Sequence, residues 1–178
     1  MALTDTQIST LRSVVLAEPS LTSAVNTGND LAIMLWCNTI VPTYKVWNTT
    51  TPASVVGDAI TWANLTPTDT PDTTVIYTNR ALVAQAKQLN IQIYLQGRDT
   101  LSTNKPNIRA GLQDALTNLP TGPSGNLLSG GWANVKNVIQ RAATNAEKVL
   151  AVGTGTSANP SDLTFEGNVS INEASLLR

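Results

Sequence analysis

The residues that usually carry chemistry are few in this chain, and their spacing does not assemble them into a known site. None of the 178 residues is histidine. That removes the commonest general base near neutral pH, the usual zinc ligand sets and the Ser-His-Asp arrangement. Cys37, in "LWCNT", has apolar neighbours and no imidazole to activate it, so it reads as a small buried hydrophobe. Asp69 and Asp72 share one polar loop, while Asp5 and Asp30 stand where helix caps are needed. An acid pair of the glycosidase kind needs two facing carboxylates, and no motif marks such a pair here. "GTGTSANPS" (153–161) is glycine-rich but lacks the Lys-Ser/Thr ending of a phosphate loop; it reads as a helix stop followed by a mobile linker. No catalytic residue, cofactor site or metal ligand set is expected, so the chain is not read as an enzyme.

Charge excludes two further classes. Eleven basic and twelve acidic residues give a net charge of −1, and only 13% of residues are charged. The basic residues are scattered, so neither a nucleic-acid face nor a membrane-surface helix is expected. "LAIMLWC" is the longest apolar run and is too short to span a bilayer; "MALTDTQIST" has no leader character. A single cysteine leaves no internal disulfide. Sequons at Asn48, Asn64 and Asn168 read as accidents of a Thr- and Asn-rich composition. Low charge with many small polar residues suits a surface that meets other protein.

The elements that would position these residues are mostly helical. Thr4 and Gln7 have capping-box spacing, and Ile8, Leu11 and Val15 follow on one face, giving a helix over 5–17. Asp30 caps "LAIMLWCN", apolar all round and hence a core helix. "TYKVW" (43–47) reads as a short strand, and 52–64 as an amphipathic helix. A long helix starts near Asp72 or Thr73 and stops at Gly97; Val75, Ile76, Leu82, Val83, Ala86, Leu89, Ile93 and Tyr94 form its inward stripe. "PNIRAGLQDALTNL" supplies another helix, with Arg109 on a solvated face. "PTGPSGNLLSGG" (120–131) is a flexible link. A last helix carries Trp132, Val135, Ile139, Ala142, Ala146, Val149 and Leu150. Of the tryptophans, Trp47 is expected to be the most exposed. The fold class is mainly α: a helical bundle of about five or six helices with a C-terminal extended/β arm. Residues 1–152 form the helical core domain and 153–178 the arm.

The arm draws attention because Leu163, Phe165, Val169 and Ile171 alternate with polar residues. Burying those four yields roughly 6–12 kcal/mol. Ordering about ten residues costs roughly 10–20 kcal/mol of backbone entropy. The segment needs a partner strand, either "TYKVW" in the same chain or one on another molecule by strand addition. The second option is preferred. Leu176 and Leu177 would end the arm as an apolar anchor.

Three blocks resemble a family of small structural proteins of tailed bacteriophages. They are "MALTDTQISTLRSVVLAEPSL", "NKPNIRAGLQDAL" and "AATNAEKVLAVGTGTSANPSDLTFEGNVS". The family pattern has the same order: an ALT-x-x-Q helix, a K-x-NIRAG helix and a GTGT-x-x-x-P-x-x-LTFEG end. Its members resemble head–tail adaptor (connector) proteins, which form a ring below the portal. The resemblance implies a virion neck protein assembled in the host cytoplasm, with portal and tail or neck proteins as partners. It also implies a homo-oligomeric ring, dodecameric by analogy, through whose lumen phage DNA passes without sequence-specific binding. Leu163, Phe165, Val169, Ile171, Leu176 and Leu177 would then be the partner-binding side chains. The alternatives are a capsid decoration or tail-terminator protein and, from another class, a small hydrolase.

Overall fold

The computed structural model describes residues 2–65, 75–120 and 127–178. In chain order the elements begin with α1 (Asp5–Ala17), α2 (Thr22–Thr27), α3 (Asp30–Asn38), β1 (Ile40–Trp47), β2 (Thr51–Pro52) and α4 (Ala53–Asp58). They continue with α5 (Val75–Leu95), β3 (Thr100–Leu101), α6 (Pro106–Leu116), β4 (Leu119–Pro120) and β5 (Leu127–Leu128). The last are α7 (Trp132–Val138), β6 (Gln140–Thr144), α8 (Asn145–Leu150) and α9 (Ile171–Ser175). Two 3-10 turns lie at Pro19–Leu21 and Trp62–Leu65. The fold is mixed α/β, which overturns the expected mainly α bundle with a β arm. The physical reason is length. Helices α2, α4, α8 and α9 span one or two turns each, too short to line up side by side, and antiparallel strand pairs β1–β6, β2–β3 and β4–β5 take up backbone between them.

The chain divides into two compact units, Met1–Trp47 with Gln140–Arg178, and Asn48–Ile139. Residues 153–178, expected to stand apart as an arm, belong to the first unit, so the boundary expected at residue 152 is not where the chain divides. The strand expected over 162–172 is also absent. In its place are an isolated bridge between Val152 and Asp162, irregular chain, and α9. Gly167, at φ +122°, interrupts the alternation that suggested a strand.

The first unit is built around the β1–β6 ribbon, paired from Ile40↔Thr144 to Trp47↔Gln140 with a register shift between Val41 and Lys45. The expected single helix over 132–150 is therefore broken into α7, β6 and α8. Thr144 and Glu147 form a capping box that starts α8 afresh. Helix α1 begins at the expected box, Thr4 with Gln7. Asn29, not Asp30, caps α3 by accepting from the Ala32 N–H. The core gathers Leu11, Val15, Ile33, Cys37, Ala146, Phe165, Val169, Ala174 and Leu177.

In the second unit α5 packs on α4, α6 and β4, over a core that includes Val56, Ile60, Ala84, Ile91, Leu101, Leu112, Leu116 and Ile139. Gly97 turns the chain left-handed after α5, as its position suggested. Trp62, not Trp47, is the exposed indole: Trp62 is 41% exposed and Trp47 only 9%.

Candidate functional site

The side chains expected to dock on a partner separate into two groups. Phe165 is 1% exposed, Val169 1% and Leu177 0%, so these three complete the chain's own core. Leu163 is half-buried. Ile171 and Leu176 are 50% and 52% exposed and remain on the surface. Helix α9 lies along α3, tied at one end by Asn38 and at the other by Arg178. The Asn38 amide donates to the Val169 carbonyl at 2.9 Å and accepts from the Val169 N–H at 2.8 Å. The Arg178 Nε donates to Asp30 Oδ1 at 2.6 Å. Ser170 and Glu173 form a capping box for α9, and Glu173 also accepts from the Leu3 N–H at 2.8 Å.

The glycine-rich stretch expected to be a mobile linker is bound to β1. The Lys45 N–H donates to the Gly155 carbonyl at 2.7 Å, and Ser161 exchanges backbone bonds with Lys45 and Trp47. The Tyr44 hydroxyl lies 2.9 Å from Ser161 Oγ. Gly155 has φ +67°, and a Cβ there would collide with the Tyr44 ring. Glycine is thus required twice over, by conformation and by close approach. The "TYKVW" partner considered for the tail is real, but it meets residues 155–161 instead of the alternating ones.

A concavity of about 360 Å³ in this unit is lined by Ile40, Arg141, Ala142, Thr144, Glu147, Glu166, Gly167 and Asn168. Arg141 grips Glu147 with two bonds of 2.7 Å each and reaches Glu166 at 3.2 Å. Glu147 is 2% exposed and also accepts from the Thr144 and Gly167 N–H groups at 3.0 and 3.3 Å. Burial pushes the Glu147 carboxyl up, but the Arg141 guanidinium and the two N–H donors outweigh it and hold it below the usual carboxylate range. The hydrogen bond to Glu147 raises Arg141 in turn. Both charges are held in the ionised form, so the cluster is a brace between β6, α8 and the "LTFEG" stretch. It has no proton to give at neutral pH.

Cys37 and Arg109 are accounted for as well. Burial raises the Cys37 thiol to about 11. Arg109, expected on a solvated face, donates to the Thr103 and Asn104 carbonyls at 3.1 and 2.6 Å. Asp69 and Asp72 lie outside the described residues. Among the described residues no group of three or more Asp, Glu or Cys is placed to hold a metal ion, and no helix is long and apolar enough to cross a membrane.

What the second unit does offer is an apolar face. Leu82, Val83, Leu89 and Ile93 are 58%, 44%, 56% and 59% exposed. With exposed Ala86 they make up most of the stripe expected to turn inward; these five face out, Tyr94 stays on the covered side, and the side chains of Val75 and Ile76 lie outside the described residues. The buried face of α5 carries Ala84 and Ile91. It also carries Lys87, whose Nζ donates to the Asp114 and Thr117 carbonyls at the end of α6, at 2.6 and 2.8 Å. Tyr94 fits against Gly111, where any Cβ would strike the phenol. Covering the four large side chains from half-exposure is worth roughly 3–6 kcal/mol to whatever covers them. Beside the stripe, Trp62, Gln92, Leu95 and Gln96 line an open concavity of about 510 Å³. The Trp62 Nε1 there donates to the Gly57 carbonyl at 2.9 Å. On the first unit, Leu31 and Leu35 stand one turn apart on α3, 52% and 56% exposed. No family model, curated protein or solved structure matches the chain.

Proposed function

We propose that this chain is a non-enzymatic assembly subunit of a phage virion, acting as a head–tail adaptor in a ring below the portal. Its partners in this reading are copies of itself, the portal protein and a tail or neck protein, with DNA passing through the lumen unread. The observation that carries the assembly role is the outward apolar stripe of α5. A lone protein rarely leaves such a face uncovered, and exposed patches of this kind mark contacts with other protein. The near-neutral, scattered charge fits a subunit that encloses DNA without gripping it. The specific place in the virion rests on the three sequence blocks and their order. In this reading the neighbour contacts come from α5 and the exposed apolar residues of α3 and α9, and the C-terminal segment completes its own unit.

The test is to image intact particles carrying the protein, with a tag on a surface loop. A single ring at one vertex is the expected result. Many copies spread over the shell would make it a decoration protein, and absence from purified particles would end the virion reading altogether.

A further inference from the structure

Helix α5 carries a second message in the spacing of its exposed residues. Leu82, Ala86, Leu89 and Ile93 are separated by four, three and four residues, which is the d-a-d-a order of a heptad seam. Leucine stands at both d positions and β-branched Ile93 at an a position, the combination that favours two helices over three or four. Alanine at the other a position allows the backbones to come close. Between residues 82 and 96 the exposed face of α5 carries no charge. Every exposed residue of the chain from 82 to 96 is apolar or an uncharged amide: Val83, Gln85, Asn90, Gln92 and Gln96 flank the seam. Lys87, the one charged residue in that stretch, is turned away to the carbonyls of α6. An acidic or basic partner finds nothing to pair with, whereas an identical neutral seam meets no like-charge repulsion.

We propose that the occupant is a second copy of this chain, with α5 packed on α5 through Leu82, Ala86, Leu89 and Ile93. This deepens the assembly reading and rests on it for its biological setting, although the contact itself follows from α5 alone. The seam runs about 16 Å along the helix. Two such seams cover well under the roughly 1,200 Å² of a stable standard interface. The pair is therefore weak in isolation, forms with rising concentration, and becomes firm only where many copies are held together.

The experiment uses the full chain. Sedimentation is followed from about 1 µM to about 1 mM for the natural chain and for the double variant L89D/I93D. Both positions are more than half exposed, so the variant should keep its circular dichroism and melting temperature. The natural chain should move from monomer toward dimer, and the variant should lose about tenfold or more in association constant. In parallel, A86C treated with a short bis-maleimide should give covalent dimer, and A110C, on the exposed part of α6, should not. Cys37 is too buried to interfere. A natural chain that stays monomeric throughout, equal cross-linking at the two sites, or unchanged association in a folded L89D/I93D would each overturn the proposal. Particle imaging separates the two readings. A protein found in virions but monomeric in solution loses only the α5 pair, and one that dimerises but is absent from virions loses only the adaptor role.

Discussion

Deleting residues 153–178 should unfold the first unit. The deletion removes Phe165, Val169 and Leu177, each at most 1% exposed, from a core they share with Ile33, Cys37, Ala146 and Leu150. At about 1.5–3 kcal/mol for each large side chain, the loss is roughly 5–9 kcal/mol. The doubled Asn38–Val169 bond, the Tyr44–Ser161 contact and the Glu147–Gly167 bond are lost as well. Set against a typical domain stability of about 5–15 kcal/mol, this removes a large share of the margin or all of it. The assay is thermal melting by near-ultraviolet circular dichroism, which reads packing around Trp36 and Trp47, with dye binding to report exposed apolar surface. Phe165→Ala is the graded version and should cost about 3–5 kcal/mol. A truncated chain that keeps its native near-ultraviolet signal and melts within a few degrees of the full chain would refute the reasoning. It would restore the idea that this segment finds its place on another subunit.

Four further outcomes follow from the same unit. Gly155→Ala should destabilise by about 2–5 kcal/mol, combining a left-handed backbone with overpacking against Tyr44; in a Tyr44→Ala background part of that cost should vanish, and strict additivity in chemical denaturation would argue against the contact. Arg141→Ala should cost about 2–3 kcal/mol because it strands a buried carboxylate on two N–H donors, whereas Glu147→Gln should cost less. Glu147 titrates below its ordinary value of 4.5 when folded, so the unfolded chain takes up the proton first as pH falls. Its contribution is full above the ordinary carboxylate range and is lost as pH drops through the depressed value; the melting temperature of Glu147→Gln should therefore fall less steeply with acid than that of the natural chain. Cys37, with its thiol raised to about 11, should react with maleimide only as fast as the unit opens, and prompt labelling of the native chain would contradict its burial.

Local signals survived translation into structure, and non-local ones did not. Helix α1 was readable because Thr4, Gln7 and the Ile8–Leu11–Val15 face all lie within a few turns. Two more capping boxes, Thr144 with Glu147 and Ser170 with Glu173, stood in the sequence and mark the true starts of α8 and α9. They were overridden by a continuous helical period over 132–150 and by the alternation after Leu163. The period of α5 was readable but its facing was not. An apolar stripe normally turns inward, and only the three-dimensional positions of Ile91, Lys87 and Tyr94 show that the other side is the covered one. The glycines of "GTGTSANPS" look the same in a loose linker and in a tight approach, and Tyr44, which decides between them at Gly155, lies over a hundred residues away. The three family-like blocks turn out to be places of close fit. Gln7 Nε2 holds the Thr164 carbonyl at 2.9 Å, joining the first block to the last. Gly111 of the middle block makes room for Tyr94. Residues of all three blocks thus take part in holding the chain together.

The pairing of Trp47 with Gln140 at the end of the ribbon has a consequence for synthesis. As the nascent chain leaves the ribosome, β1 emerges long before its partner β6, and α3 long before α9. Met1–Trp47 must wait, incomplete and with apolar surface open, while Asn48–Ile139 is made. If that intervening stretch folds while it waits, it brings its two ends together and removes most of the loop-closure entropy that otherwise opposes joining β1 to β6. Asn48–Ile139 would then serve as a scaffold for joining the two segments that flank it.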